Sequence, residues 1–338
     1  MSAVYVTEEG TDLAQLIQKF LLGAVAFSQG ADDYLDEDTP DKGLRSDHDV
    51  VAVVSQPDRR GGRGNRVVSP PVVTLAKEHG VPLNQPERVG TRAFREWLSG
   101  HEPEIAVVAA FGQILGPKLL ALPPLGCINV HASLLPRWRG ASPIQAAILA
   151  GDAHSGVSIM EMERGLDTGP VLGEVSVELS ERETGASLHD RLAEAGATLL
   201  LEVLEGFKGG ARPTAEPQDD DRATYAAQLR REDGDLDWTE PAVALGRRIR
   251  ALHPWPGTRA TVLEREERLK VHPPVQVLDG AYDAPPGTII AASGDGVDVV
   301  AGDGRALRLG KLQAPGRKAL EAGPFLAGYP LNPGGRLG

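Results

Sequence analysis

With 338 residues the chain is long enough to bury a substantial core, and ordinary domain sizes make two domains the expected arrangement. The formal net charge of −12 argues against a protein that wraps nucleic acid, but residues 1–240 carry 22 basic and 38 acidic side chains while residues 241–338 carry 13 and 9, so a modestly positive tail follows an acidic body. The single cysteine, Cys127, excludes an internal disulfide and a cysteine metal cluster and fits a reducing cytoplasm; packing is its ordinary role and a thiol nucleophile the rarer one.

In chain order, the first apolar stretch, residues 20–27, is too short to span a bilayer. Glu8, Glu9 and Asp12 stand where a secretory leader would be basic, so no membrane role is expected. Residues 1–43 are atypical: residues 3–6 are the one candidate strand, residues 12–26 could form a helix, and the acidic run from Asp32 to Asp41 is expected to be loose. From Asp49 the pattern becomes regular. Residues 50–54 and 104–110 read as strands, with helices starting near Pro70 and Arg92. Such alternation predicts an α/β domain over residues 44–208, a doubly wound, mostly parallel sheet with a ligand crevice at the carboxyl ends of its strands. No Gly-x-Gly-x-x-Gly follows a strand, so a nucleotide cofactor is not expected. Between the first secure strand and its helix, Arg59, Arg60, Arg63 and Arg66 share a glycine-rich loop, which suits phosphate contact and equally suits a solvated loop.

The most informative stretch is residues 127–144. Residues 127–132 form a short apolar run of strand type, and alternation puts Asn129 and His131 on one face with Ile128 and Val130 on the other. An amide donor beside an imidazole can receive a carbonyl: Asn129 supplies a hydrogen bond to a developing oxyanion, and His131 can act as acid, base or cationic stabiliser. The chain turns through residues 133–140 and restarts as a helix with Pro143 at its first position. A second strand, residues 156–162, leads to a glycine-flanked loop whose Asp167 could approach His131 and fix or share its proton.

Residues 171–179 read as another strand, and residues 184–207 as a long amphipathic helix with Leu188, Leu192, Ala195, Leu199 and Val203 at helical spacing. Residues 209–233, rich in Pro, Gly and Asp, read as a linker. A short helix from about Pro241 and several brief strands between glycine turns suggest a small barrel over residues 234–338.

Asn129-Val-His131 followed by Ser133-Leu-Leu-Pro136, Arg137-Trp-Arg-Gly140 and Leu166-Asp-Thr-Gly169 resembles the folate-dependent formyltransferases. So do Phe111-Gly-Gln-Ile-Leu115, Ala223-Thr-Tyr-Ala226 and His253-Pro-Trp-Pro-Gly257. The likeness runs from Leu44 to the C-terminus and does not cover the first forty or so residues, where the family has a strand leading into a Gly-Thr-Pro turn. Either residues 3–6 stand in for that strand or the start is an aberrant reading.

The resemblance implies 10-formyltetrahydrofolate as formyl donor, no metal, and catalysis by Asn129, His131 and Asp167. It implies a folate pocket lined by Phe111, Gln113, Ile114, Leu115, Ser133, Leu134, Leu135 and Pro136. It also implies that the arginine loop and an OB-like C-terminal barrel hold methionyl-initiator tRNA, in a cytoplasmic monomer serving translation initiation. A member acting on a small amine, and a catalytically impaired tRNA-binding homologue, are the alternatives.

Overall fold

The computed structural model describes residues 2–7, 48–61 and 66–338, and for residues 2–7, 59–61, 66 and 68 the backbone only. The expected helix at residues 12–26, the acidic run and Arg63 lie outside the described residues. None of the described helices is long and apolar enough to cross a membrane. The chain divides into two compact units, residues 1–143, 154–177 and 189–226 in one, and residues 144–153, 178–188 and 227–338 in the other.

The first unit is built on a sheet of seven strands. Strands β1 (Ser2–Thr7), β2 (Asp49–Ser55), β5 (Leu83–Asn84), β6 (Ile105–Ala109), β7 (Cys127–His131), β9 (His154–Glu161) and β10 (Val171–Glu178) lie in the order β10-β9-β7-β6-β1-β2-β5. Between them fall the short pieces β3 (Arg59–Gly61), β4 (Arg66–Val68) and β8 (Arg139–Gly140). The β2 and β6 segments are runs of valine and alanine, the composition of strands packed on both faces, and every residue of β6 is buried. Strands β2 and β5 are parallel, as are β6 and β7, and β1 runs antiparallel to both β2 and β6. Strands β2, β5, β6 and β7 therefore point one way, and the backbone bonds Glu161 N to Pro170 O and Leu179 N to Ala153 O set β10 antiparallel to β9, in that same direction. Strand β9 opposes β7, so the sheet is more mixed than the alternation alone predicts. Ser2–Thr7 fills the slot between β6 and β2 in reverse, which explains how a segment without the family's opening turn can still complete the sheet.

Helices α1 (Pro71–Glu78), α2 (Arg92–Ser99) and α3 (Pro117–Leu120) follow strands as expected, and Thr91 caps α2 by accepting from Phe94 N at 3.2 Å. Phe94 and Leu98 of α2 and Leu119 of α3 form one core with Ala52, Val54, Ala106, Val108 and Cys127, alternate residues of one sheet face. The other face is covered by α5 (Gly185–Glu205), which follows α4 (Pro143–Ala150) in the chain. A Cβ on Gly196 of α5 would come within 3.2 Å of Val157 and 3.5 Å of Val130, so glycine lets the helix sit close on the strands. Of the expected stripe Leu188, Leu192, Leu199 and Val203 are buried and Ala195 is half-buried, while Leu200 and Leu204 are buried as well, widening the stripe.

The second unit contains α6 (Ala242–Ala251) and an antiparallel sheet of β12 (Thr258–Val262), β13 (Glu267–Leu278), β16 (Ala306–Gln313), β15 (Gly296–Val300) and β14 (Ile289–Ser293) in that order, with β17 (Leu320–Glu321) beside β16 and α7 (Ala322–Gly328) following. Residues 335–338 join the two ends. Gly338 and Thr261 exchange backbone bonds of 2.6 and 2.8 Å on the β12 side, while Leu337 N donates to Gly287 O and Ile289 N to Gly335 O on the β14 side, each at 2.8 Å. The path thus closes into a ring around Leu245, Ile249, Leu269, Val299, Leu309, Phe325 and Leu337. Residues 144–153 and 178–188 are fastened to this unit: Arg247 Nη1 donates to Ala150 O at 3.2 Å, Arg250 Nη1 to Glu183 O at 2.8 Å, and Ala186 N to His253 O at 3.1 Å.

Leu337 both fills the core and carries the ring closure, so Leu337→Ala is expected to cost about 2–5 kcal/mol in urea unfolding, a core value from a residue that would ordinarily be placed in a tail. In the same unit the rings of His253 and His272 meet edge to face at 6.0 Å. Burial, with smaller contributions from His272 and Lys311, pulls His253 down from 6.5 to about 4. An unfolded chain takes up this proton near pH 6.5 and the folded chain does not, so stability is present above pH 6.5 and is lost as pH falls toward about 4. Urea midpoints measured across that window are expected to fall with pH, and less steeply in His253→Phe.

Candidate active site

Asn129 and His131 close strand β7 on one face, and both are buried. The chain then tightens at once: Ser133 N donates to His131 O at 2.9 Å, and Ser133 Oγ donates to Arg137 O at 2.6 Å. This turn carries Trp138 into the left-handed region, φ 60°, uncommon for a bulky residue. Its carbonyl meets His131 Nε2 at 2.9 Å. A carbonyl only accepts, so Nε2 carries a proton in this bond, and in the neutral ring Nδ1 is the basic nitrogen. Nδ1 faces Asp167 Oδ2 at 3.8 Å. That separation suits an ion pair once Nδ1 is protonated, and needs less than about 1 Å of adjustment to become a hydrogen bond.

Asp167 sits in the loop between β9 and β10, itself left-handed at φ 54°. Its Oδ2 accepts from Gly140 N at 2.8 Å, so one oxygen is held by a backbone amide and turned toward the imidazole. Gly140 is constrained from the other side: its φ is 112°, and a Cβ would stand 2.5 Å from Ala226 O. No other residue allows β8 to pair here with β11 (Tyr225–Ala226).

The sequence pattern predicts β11 inside a linker. The structure instead ties residues 218–226 to the first unit: Trp138 N donates to Thr224 Oγ1 at 2.9 Å, Arg139 N to Thr224 O at 2.9 Å, and Ala141 N to Ala226 O at 2.9 Å. Behind them Arg139, 2 % exposed, gives two bonds of 3.0 and 2.9 Å to Gln218 Oε1 and one of 2.7 Å to Asp220. Gln218 Nε2 in turn donates to Asp167 O and Gly169 O at 2.9 and 2.7 Å. A stretch rich in Pro and Asp looks like solvated coil; the one hint otherwise is the Ala223-Thr-Tyr-Ala226 motif within it.

The two expected pocket loops leave the carboxyl ends of the adjacent parallel strands β6 and β7. Phe111 and Leu115 are buried in the α2/α3 core, Gln113 Oε1 accepts from Val89 N at 3.2 Å, and Ile114 is 94 % exposed. Gln56, which sequence reasoning does not single out, donates to Phe111 O at 3.1 Å. In the second loop Ser133 and Leu135 are buried, and Leu134 and Pro136 are half-buried. Ser158 holds that loop, its hydroxyl accepting from Leu135 N at 3.0 Å and lying 2.8 Å from Ser133 O and 2.7 Å from Glu174 Oε1. Within the arginine loop Arg59 pairs with Val68 and Gly61 with Arg66, and Arg63 lies outside the described residues.

The fold is that of a known class. A formyl transferase family model matches residues 31–204 and a formyl transferase C-terminal domain model residues 228–330, and the chain belongs to this family. It is 48 % identical over 277 residues to the methionyl-tRNA formyltransferase of Ectopseudomonas mendocina, covering 82 % of this chain and 86 % of that one. It is 46 % identical over 295 residues to that of Methylococcus capsulatus, covering 87 % and 94 %. Among solved structures, HypX from Aquifex aeolicus in complex with tetrahydrofolic acid superposes with a TM-score of 0.55 at 18 % identity, over 75 % of this chain and 43 % of that one. An N-formyltransferase from Helicobacter canadensis gives 0.52 at 12 % identity, over 77 % and 87 %. At these identities the structural likenesses speak to fold alone.

Cys127, on the same strand face as the pair, is 5 % exposed, and burial pushes its thiol up to about 12. A thiolate is therefore not at hand near neutral pH, and the residue packs rather than reacts. A thiol-specific reagent at about pH 8 is expected to leave the folded protein unlabelled and to modify one cysteine only after denaturation, followed by absorbance or intact mass.

Proposed function

We propose that the chain transfers a formyl group from 10-formyltetrahydrofolate to the α-amino group of methionyl-initiator tRNA, in the cytoplasm, for translation initiation. The observation that carries the chemistry is the convergence of His131 Nδ1 on Asp167 Oδ2 at 3.8 Å at the end of the strand that also presents Asn129. The near-half identity to methionyl-tRNA formyltransferases over most of both chains supports the acceptor.

Bound folate supplies the formyl carbon. Ile114, exposed on the loop after β6, and Ser133 to Pro136 after β7 are the groups we assign to hold it, with Phe111, Gln113 and Leu115 shaping the first loop from behind. Asn129 donates its amide to the formyl oxygen as negative charge develops there. An α-amino group titrates near neutrality, so a usable fraction already carries a lone pair; bond formation between that nitrogen and the formyl carbon makes it acidic. His131 Nδ1 takes the proton, Asp167 balances the imidazolium, and the proton passes to the folate nitrogen as its bond to carbon breaks. The Trp138 carbonyl holds Nε2–H throughout, so Nδ1 is the nitrogen that cycles.

We assign tRNA contact to Arg59, Arg60, Arg63 and Arg66 and to the positively charged C-terminal portion, residues 234–338, with residues 44–208 carrying the chemistry. Four arginines within eight residues suit a phosphate backbone better than a small amine does.

Formylation of methionyl-tRNA by the purified chain tests the whole reading. Asn129→Ala is expected to cut turnover about a hundredfold or more with folate affinity little changed, and near-normal turnover would remove Asn129 from the mechanism. Raising salt should weaken use of a polyanionic acceptor steeply; a flat response would favour a small amine as acceptor.

A further inference from the structure

Gln218 lies on the segment expected to be a linker, yet every polar valence of its amide is used. Both N–H groups donate to the backbone of the catalytic loop, to Asp167 O at 2.9 Å and Gly169 O at 2.7 Å. Its oxygen accepts from Nε and Nη2 of Arg139 at 3.0 and 2.9 Å. The pairing admits one orientation only, since the reverse would set the amide oxygen against two carbonyls and the NH₂ against a guanidinium. Arg139 is the residue immediately before Gly140, whose N–H holds Asp167 Oδ2. Gln218 therefore bridges the two strands of chain that fix the carboxylate, one through the backbone of Asp167 itself and one through the side chain beside Gly140.

The anchoring has a purpose in the local energetics. Asp167 is left-handed at φ 54°, a conformation that costs a non-glycine residue on the order of 1–3 kcal/mol and persists only when its surroundings hold it. Apart from Gln218, the loop around it is held by Gly140 N on the side chain, by the bond from Glu161 N to Pro170 O, and by Thr168 Oγ1 donating to Glu163 at 2.6 Å near the surface. The amide of Gln218 reaches the backbone on both sides of Thr168, at the point where a change of φ at Asp167 would swing the carboxylate away from His131.

We propose that Gln218 is a positioning residue for Asp167: clamped by buried Arg139, it holds the aspartate loop in the left-handed turn that aims Oδ2 at His131. This rests on the catalytic role proposed for Asp167. Gln218→Glu keeps the size of the side chain and an oxygen for Arg139 but loses both donors to the loop; Gln218→Ala loses the bridge entirely.

The test compares wild type, both Gln218 variants, Asp167→Asn, and the double variant Gln218→Ala with Asp167→Asn, in single-turnover formylation of methionyl-tRNA, with thermal midpoints recorded alongside. Each Gln218 variant is expected to lose roughly 10- to 100-fold in the rate of the chemical step while KM for the folate donor stays unchanged, as for displacement of a catalytic group by about 1 Å. In the Asp167→Asn background the Gln218→Ala change should cost almost nothing, because no carboxylate remains to be aimed. Near wild-type rates in the Gln218 variants, or the full loss reappearing in the Asp167→Asn background, would overturn the inference while leaving Asp167 catalytic. Normal turnover by Asp167→Asn alone would instead overturn the catalytic reading and this inference with it. Should Gln218→Ala fail to fold, the rate of the near-isosteric Gln218→Glu decides the question by itself.

Discussion

One carboxylate oxygen, Asp167 Oδ2, organises the first unit's functional end: Gly140 N donates to it at 2.8 Å and His131 Nδ1 faces it at 3.8 Å. The three groups come from a strand end, a two-residue strand and a turn, so nothing local brings them together. Their meeting depends on backbone conformations that most residues resist. Trp138 and Asp167 are left-handed, and Gly140 occupies a φ and a clearance that a Cβ would forbid. Such conformations persist where hydrogen bonds over-determine them. Here the bonds run through Thr224, Gln218 and Ala226, each from beyond the long helix α5.

The same contacts decide which chemistry the imidazole can do. A histidine with both nitrogens open could serve in either tautomer, and its basic nitrogen would point at random between solvent and substrate. The Trp138 carbonyl removes that freedom by occupying Nε2. A carboxylate oxygen already oriented by Gly140 lies opposite the remaining nitrogen, so the geometry in which the two would exchange or balance charge in the proposed mechanism is set in advance. The buried thiol nearby contributes nothing to this, because its environment opposes ionisation.

Strand alternation makes Asn129 and His131 legible in the sequence, since a period of two is enforced by backbone geometry wherever a strand forms. The stripe on α5 is legible for the same kind of reason, a period of about 3.6 over a long segment. What cannot be read is everything that depends on distant pairing. Arg139 looks like one more surface cation in Arg137-Trp-Arg-Gly140, but it is buried against Gln218 nearly eighty residues away. The segment from Gln218 to Ala226 has the composition of a linker because its work is done by backbone groups and the polar side chains of Gln218, Asp220 and Thr224, which leave no apolar period behind. Closure of the second unit's sheet by residues 335–338 is hidden likewise: two backbone ladders and one leucine carry it. The direction of β1 is unreadable too, since a short apolar strand between two others satisfies its hydrogen bonds either way.

In the proposed function, binding and chemistry draw on different forces. Of the groups proposed for catalysis Asn129 and His131 are buried and Asp167 is half-buried, and their effect on a reacting carbonyl depends on fixed geometry. The groups proposed for tRNA are the arginines of residues 59–66 and the basic surplus of residues 241–338, whose attraction is long-ranged and screened by salt. An acceptor as large as a tRNA needs many weak contacts for capture, whereas the single amine needs a placement good to a fraction of an ångström. A sheet whose strand ends are pinned by buried side chains supplies the second requirement. Because the acidic body would repel a polyanion, the proposed contacts for the first gather positive charge in residues 59–66 and in residues 241–338.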